Sequence, residues 1–149
     1  LVFFPITPER GRIPIIGRES SNDDFANASL LEGPSGLVLG STVNASSQNG
    51  EPTWFQQGEV KSVWYRWTAP NTSTYTFSTE GSDFDTLLGA YTGSRLATLA
   101  EIARNDDAPG NNTLTSQVQI RAQRGTQYYI LVGGFNVAVG SYRLSWTRD

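Results

Sequence analysis

Three acidic clusters hold most of the chemistry this sequence offers: Asn22-Asp23-Asp24, Asp83-Phe84-Asp85-Thr86 and Asn105-Asp106-Asp107, with Glu51 as a fourth contributor. Carboxylates and amide carbonyls are the oxygen ligands of a hard cation, and Ca²⁺ takes six to eight of them in irregular geometry. Like charges gathered in one place are unfavourable unless something neutralises them. The same residue types also cap helices and form turns. Spacing alone leaves both readings open, because no cluster matches the twelve-residue EF-hand loop.

Other chemistry is excluded by composition. The chain has no His and no Cys, so triads built on either residue are ruled out, as are zinc and copper sites of the usual kind. A carboxylate pair of the glycosidase type is an unspecific signal in a domain small for a substrate cleft. An enzyme is not expected. The net charge is −3 and Lys61 is the single lysine, so there is no basic stripe for nucleic acid. Nothing approaches the roughly 20 apolar residues of a membrane span.

The elements that must position these acids are strands. The 149 residues make one ordinary domain. From Asn22 onward, short runs alternate apolar and polar residues between Gly, Asn, Asp and Pro turns. Strands are expected at Gly36–Val43, Ser62–Ala69, Thr74–Thr79, Thr86–Tyr91, Ser116–Ala122, Gln127–Val132 and Ser141–Thr147. The Thr86–Tyr91 run is continuously apolar, as a central strand would be. Leu96–Ala103 reads either as a helical turn or as a loop with a strand, and Phe25–Leu31 holds one helical turn. The pattern predicts an all-β, jelly-roll-like antiparallel β-sandwich over residues 20–149. Alternating aromatics such as Trp64, Trp67, Tyr75, Phe77, Tyr91, Tyr128 and Trp146 read as core. Trp54-Phe55 in a loop reads as a surface contact or a lid.

Residues 1–19 differ from the rest. This extended N-terminal arm is apolar at Leu1, Val2, Phe3, Phe4, Ile6, Ile13, Ile15 and Ile16, and it carries three of the seven prolines. The chain has no methionine, which predicts a processed start, most simply after removal of a secretory signal. Four sequons at Asn27, Asn44, Asn71 and Asn111 offer glycosylation acceptors and suit a secreted, extracellular or cell-surface protein.

In their order along the chain, Asn22-Asp23-Asp24-Phe25-Ala26-Asn27-Ala28, Gly50-Glu51-Pro52, Ser62-Val63-Trp64-Tyr65-Arg66-Trp67-Thr68-Ala69-Pro70, Gly81-Ser82-Asp83-Phe84-Asp85-Thr86, Tyr91-Thr92-Gly93 and Asn105-Asp106-Asp107 resemble the bacterial pre-peptidase C-terminal domain. The resemblance spans about residues 22–147. It implies a jelly-roll-like sandwich found as an accessory module on secreted proteases and other large surface proteins. Relatives such as bacterial collagen-binding domains carry calcium near the N-terminal edge. The resemblance thus implies Ca²⁺ at Asp23, Asp24, Asp83, Asp85, Asp106 and Asp107. The apolar arm lies outside the family pattern.

Two functions follow as expectations. In the first, the protein is a non-enzymatic subunit of an extracellular filament, a homopolymer in which the arm of one copy adds a strand to its neighbour. Burying three large apolar side chains of the arm contributes about 5–9 kcal/mol, against about 1–2 kcal/mol for ordering each residue, so strand pairing must add to it. Pro5, Pro8 and Pro14 cannot donate to a ladder and leave two pieces, near residues 1–4 and 13–16. A head-to-tail contact of this kind does not close and so makes a filament. In the alternative, the domain is an accessory module that docks a secreted hydrolase on protein or polysaccharide through Trp54 and Phe55.

Overall fold

The protein, seen here as a computed structural model, is described at residues 21–52, 59–110 and 113–149. The arm residues, Trp54-Phe55 and Asn111 lie outside the described residues. Among the described residues, nine strands form two sheets: β1 (Ser29–Leu31), β2 (Ser35–Ser41), β3 (Ser62–Thr68), β4 (Ser73–Ser78), β5 (Thr86–Thr92), β6 (Ala100–Asn105), β7 (Gln117–Ala122), β8 (Gln127–Gly134) and β9 (Ser141–Arg148). One sheet has the order β1-β3-β8-β5-β6 and the other β2-β9-β4-β7. Every expected strand is present within two residues of its expected ends. The sandwich departs from the expected antiparallel arrangement at one place: β1 runs parallel to β3, with Ser29 opposite Tyr65 and Leu31 opposite Trp67. The two ambiguous segments each divide. Phe25–Asn27 is a 3-10 turn followed by β1, and Leu96–Thr98 is a 3-10 turn followed by β6.

The four-stranded sheet has one wet face, so its strands alternate. Tyr75 and Phe77 of β4, Val118, Ile120 and Ala122 of β7, and Tyr142, Leu144 and Trp146 of β9 point inward. Cross-strand pairs align them, Phe77 lying opposite both Val118 and Trp146. They meet Val63, Tyr65, Trp67, Leu88, Ala90, Tyr128, Ile130 and Val132 from the other sheet. The aromatics are core residues, as the alternation predicts.

The central strands β3 and β5 of the five-stranded sheet are buried on both faces, while its edge strands β1 and β6 are partly exposed. The sheet's outer face carries Trp64, Leu87, Tyr91 and Leu131, covered by Phe25, Val60, Leu96 and Leu99 from loops and turns. This double burial explains the continuously apolar β5. Each fully buried large side chain contributes about 1.5–3 kcal/mol.

Where rings crowd the core, the opposing strand carries glycine. Gly36 and Gly40 of β2 lie opposite Trp146 and Tyr142, whose rings fill the space a Cβ would need. The freed volume lets Tyr142 reach the hydroxyl of Tyr65 in the other sheet at 2.5 Å. Trp67 and Trp146 likewise donate their indole N–H groups to one acceptor, the Gly33 carbonyl, at 2.9 and 3.0 Å.

Gly40→Ala should therefore push the Tyr142 ring and break the bond to Tyr65. Overpacking of this kind costs about 1–3 kcal/mol, which urea unfolding would read as a lower midpoint with an unchanged slope. A wild-type midpoint would mean that β2 does not press on Tyr142 as described.

Candidate metal centre

The six expected cation ligands separate into groups. Asp85 immediately precedes β5, Asp106 and Asp107 immediately follow β6, and one carboxylate oxygen from each of the three lies within 4.8 Å of the other two. Asp23, Asp24 and Asp83 are not part of that group.

Those three sit in other roles. Asp23 accepts from the Ser46 backbone N–H at 2.9 Å and from its hydroxyl at 2.8 Å. Asp24 precedes the Phe25–Asn27 turn with no side-chain capping bond, and its carbonyl accepts from the Asn27 N–H. Asp83 accepts from the Ser141 N–H at 2.9 Å, while its own N–H donates to the Ser141 carbonyl. For Asp23 and Asp83 the carboxylates bind serines distant in sequence, so they join separate segments and neither form a local turn nor face the trio. Asn22 is buried, trading backbone and side-chain bonds with Trp64 of β3. Glu51 accepts from the Ser62 hydroxyl and the Trp64 indole, both at 2.8 Å. Burial pushes its carboxyl above the ordinary value, against the pull of those two bonds, with the Asp23 charge adding a smaller push. Glu51 therefore lies near Asp23 rather than with the trio. Of the sequon asparagines, Asn27 and Asn44 are exposed, and Asn71 accepts from the Tyr75 hydroxyl at 3.3 Å.

The trio is fixed by a buried hydroxyl network that spans the two sheets. Thr79, just after β4, lies 2.7 Å from the hydroxyl of Thr86 at the start of β5, and Thr86 lies 2.9 Å from that of Ser116, just before β7. The Ser116 Oγ is also 2.6 Å from the Asp106 carbonyl and 2.8 Å from the Thr86 carbonyl, able to donate to one at a time. The Phe135 N–H donates to the Asp85 carbonyl at 2.9 Å. The backbones of Asp85 and Asp106 are therefore held while their carboxylates face each other and Asp107. These hydroxyls are positioning residues that the acidic pattern does not reveal. The available signal is Thr86 directly after Asp85 and Ser116 heading an alternating strand.

The electrostatics are unfavourable for the bare carboxylates. Asp85 Oδ1 and Asp106 Oδ1 are buried and meet no donor from the surrounding protein, and the two carboxyls lie close enough to share a proton with each other. Burial first, then the charges of Asp107 and Asp85, pushes Asp106 up to about 6. Burial and the Asp107 charge also raise Asp85. Buried anionic oxygens converging on one point, with no donor from the surrounding protein, form a ligand set that fits a hard cation, and the oxygen-only chemistry suits calcium.

No protein-family model matches the sequence, and no curated protein does. Among solved structures, the chain is similar to the crystal structure of the pre-peptidase C-terminal domain of collagenase from Bacillus anthracis. The TM-score is 0.51 and the identity 16%, covering 80% of this chain and 94% of that one. The fold is thus that of a pre-peptidase C-terminal domain, as the order of short motifs implies.

Folded Asp106 titrates near 6 against 3.8 for the free group. The metal-free folded state therefore binds this proton more tightly than the unfolded chain between those values. The resulting stabilisation is full below the unfolded value and is lost as pH rises through about 6. In chelator, the melting temperature at about pH 5 relative to about pH 7 should be higher for the natural chain than for Asp106→Asn. Identical pH dependence of the two would show that the trio is not strained.

Proposed function

We propose that the chain is a non-catalytic β-sandwich module of a secreted protein, stiffened at one end by a calcium ion on Asp85, Asp106 and Asp107. The observation that carries this reading is the pair of buried oxygens within the trio, Asp85 Oδ1 and Asp106 Oδ1, which no donor from the surrounding protein meets. A divalent cation would replace their mutual repulsion with attraction and tie the end of β6 to the start of β5. Three carboxylates offer up to six oxygens, water can complete the shell, and calcium tolerates the irregular result better than magnesium does. Zinc would want nitrogen or sulfur ligands, which a chain without His or Cys cannot give.

The accessory role is supported by the likeness to a pre-peptidase C-terminal domain and by a composition without His or Cys. An extracellular setting agrees with the sequons and with that fold. No helix among the described residues is long and apolar enough to cross a membrane. A docking surface of aromatics finds little support within the described residues, where Trp64, Trp67, Tyr75, Phe77 and Trp146 are buried. Trp54 and Phe55 remain its best residues.

A second reading, the self-assembling filament subunit, is favoured by a separate observation. Exposed Leu30, Leu37, Leu39 and Val43 fall in or beside two strands, β1 and β2, that end their sheets on the same side of the sandwich.

Calcium at a hundred times its dissociation constant should stabilise the protein by about 2.7 kcal/mol, which for a domain of this size is a rise of about 5–10 °C in melting temperature. The rise should vanish in Asp106→Asn and shrink at acid pH, where protons compete for the trio. An unchanged melting temperature across a calcium titration, with calorimetry showing no heat of binding, would remove the metal claim.

A further inference from the structure

Strand β2 pairs with β9 on one side and, among the described residues, with no strand on the other. Up to Leu39, and leaving aside Ser41, which has a further partner, such an edge is a template for an added strand. Its seven residues, Ser35-Gly36-Leu37-Val38-Leu39-Gly40-Ser41, contain no charge and no proline. Gly36, Val38 and Gly40 lie opposite the inward Trp146, Leu144 and Tyr142. Leu37 and Leu39 lie opposite Ser145 and Arg143 on the wet face, 47% and 68% exposed. The other side of the sandwich is guarded. There β6 carries Glu101 and Arg104, which pair at 3.6 Å, and β7 carries exposed Gln117, Gln119 and Arg121. Charged side chains are the usual defence of an edge strand, and β2 has none.

We propose that the open edge of β2 accepts the strand Leu1-Val2-Phe3-Phe4 from a second copy of the chain. This inference rests on the self-assembly reading and names its acceptor. The first argument is length. Phe4 stands seventeen residues before Ser21 (21 − 4), where description of the chain begins. That is about 55 Å of extended chain, more than twice the roughly 23 Å of a seven-residue strand.

The second argument is the tether. Asn22 is bound to Trp64 and Asp23 to Ser46, and Ser46 follows the end of β2 by five residues (46 − 41). The residues next to that anchor in sequence are Gly17-Arg18-Glu19-Ser20. Two charges and a glycine match neither Leu37 and Leu39 on the wet face nor the aromatic lining within. The apolar quartet stands at least seventeen residues before Ser21, a length of chain that spans the gap to a neighbour.

The third argument is chemistry. The quartet is uncharged and stops at Pro5, which cannot continue a ladder. In a strand it would set two large apolar side chains on each face, one pair beside Leu37 and Leu39. Main-chain bonds would supply affinity and the leucines a matching apolar patch, the physics of strand addition.

The full chain has no cysteine, so single introduced thiols report cleanly. Chains carrying Val2→Cys would be mixed, under oxidising conditions, with mass-tagged chains carrying Leu39→Cys or Arg121→Cys. Sedimentation velocity would be run on the unmodified protein and on a Leu37→Lys/Leu39→Lys variant, with its melting temperature checked. The inference expects assembly of the unmodified chain, a disulfide from Val2→Cys to Leu39→Cys but not to Arg121→Cys, and a folded, monomeric double-lysine variant. Assembly without the Leu39→Cys cross-link, or assembly retained by the double-lysine variant, would move the acceptor elsewhere and leave self-assembly standing. A chain that stays monomeric at every concentration would remove both. A Val2→Cys/Leu39→Cys chain that closes on itself, while the mixed single variants do not join, would show the arm folded back on its own β2 and overturn the proposal.

Discussion

The central strands of the five-stranded sheet have to hide both faces, and much of the remaining structure follows from that. One face packs against the other sheet. The opposite face presents Trp64, Leu87, Tyr91 and Leu131, and among the described residues no third sheet or long helix covers them. The cover is made of loops and 3-10 turns, whose backbone polar groups must find partners as water is excluded. The polar residues around the chain's entry supply those partners. Asn22 continues the hydrogen bonding of β3 beyond the reach of three-residue β1, Gln48 accepts from the Phe25 N–H at 2.9 Å, and Glu51 takes the indole N–H of Trp64. Phe25 can then stand edge-on to Trp64 at 5.1 Å. Asp23 and Glu51 are engaged in holding this cover in place.

At the Asp85 site the balance is reversed. Backbone passes between the sheets from β4 to β5 and from β6 to β7, and the hydroxyls of Thr79, Thr86 and Ser116 satisfy it. With the Asp106 carbonyl held by Ser116 and that of Asp85 held by Phe135, the carboxylates cannot turn away through the backbone. Their repulsion is therefore a standing property of the folded chain, and only a proton or a cation relieves it. Asp107, more exposed than the other two, raises both neighbours through its charge and faces the solvent from which an ion would arrive.

The legible part of the fold is the part whose burial differs between two faces. β4, β7 and β9 alternate because one face is wet, and their boundaries can be read almost to the residue. β5 reads as central because both faces are covered. β1 could not be read in this way. Three residues carry no period, and their parallel pairing with β3 depends on how the chain crosses between sheets. The same limit applies to the acids. Asp23, Asp83 and Asp85 look alike in sequence, but a serine N–H lies within reach of the first two and of neither buried Oδ1 of the trio. That difference is tertiary. Thr79 carries no signal of its own in a chain rich in hydroxyl residues, and Ser116 only its place at the head of an alternating strand.

The two sides of the sandwich differ in a way that packing alone does not require. Between β6 and β7 the sheets are joined by polar contacts, the Gln117 N–H donating to the Asn105 side chain at 3.0 Å, and charged residues flank exposed Ile102. Between β1 and β2 the join is the turn around Gly33, whose carbonyl takes both tryptophan N–H groups. Those bonds fix the turn but leave the outer edges of β1 and β2 without charge. An isolated soluble module gains nothing from bare leucines beside open backbone, since they invite indiscriminate pairing. Leu1–Phe4 is likewise uncharged and strand-prone, which is the basis of the proposed pairing.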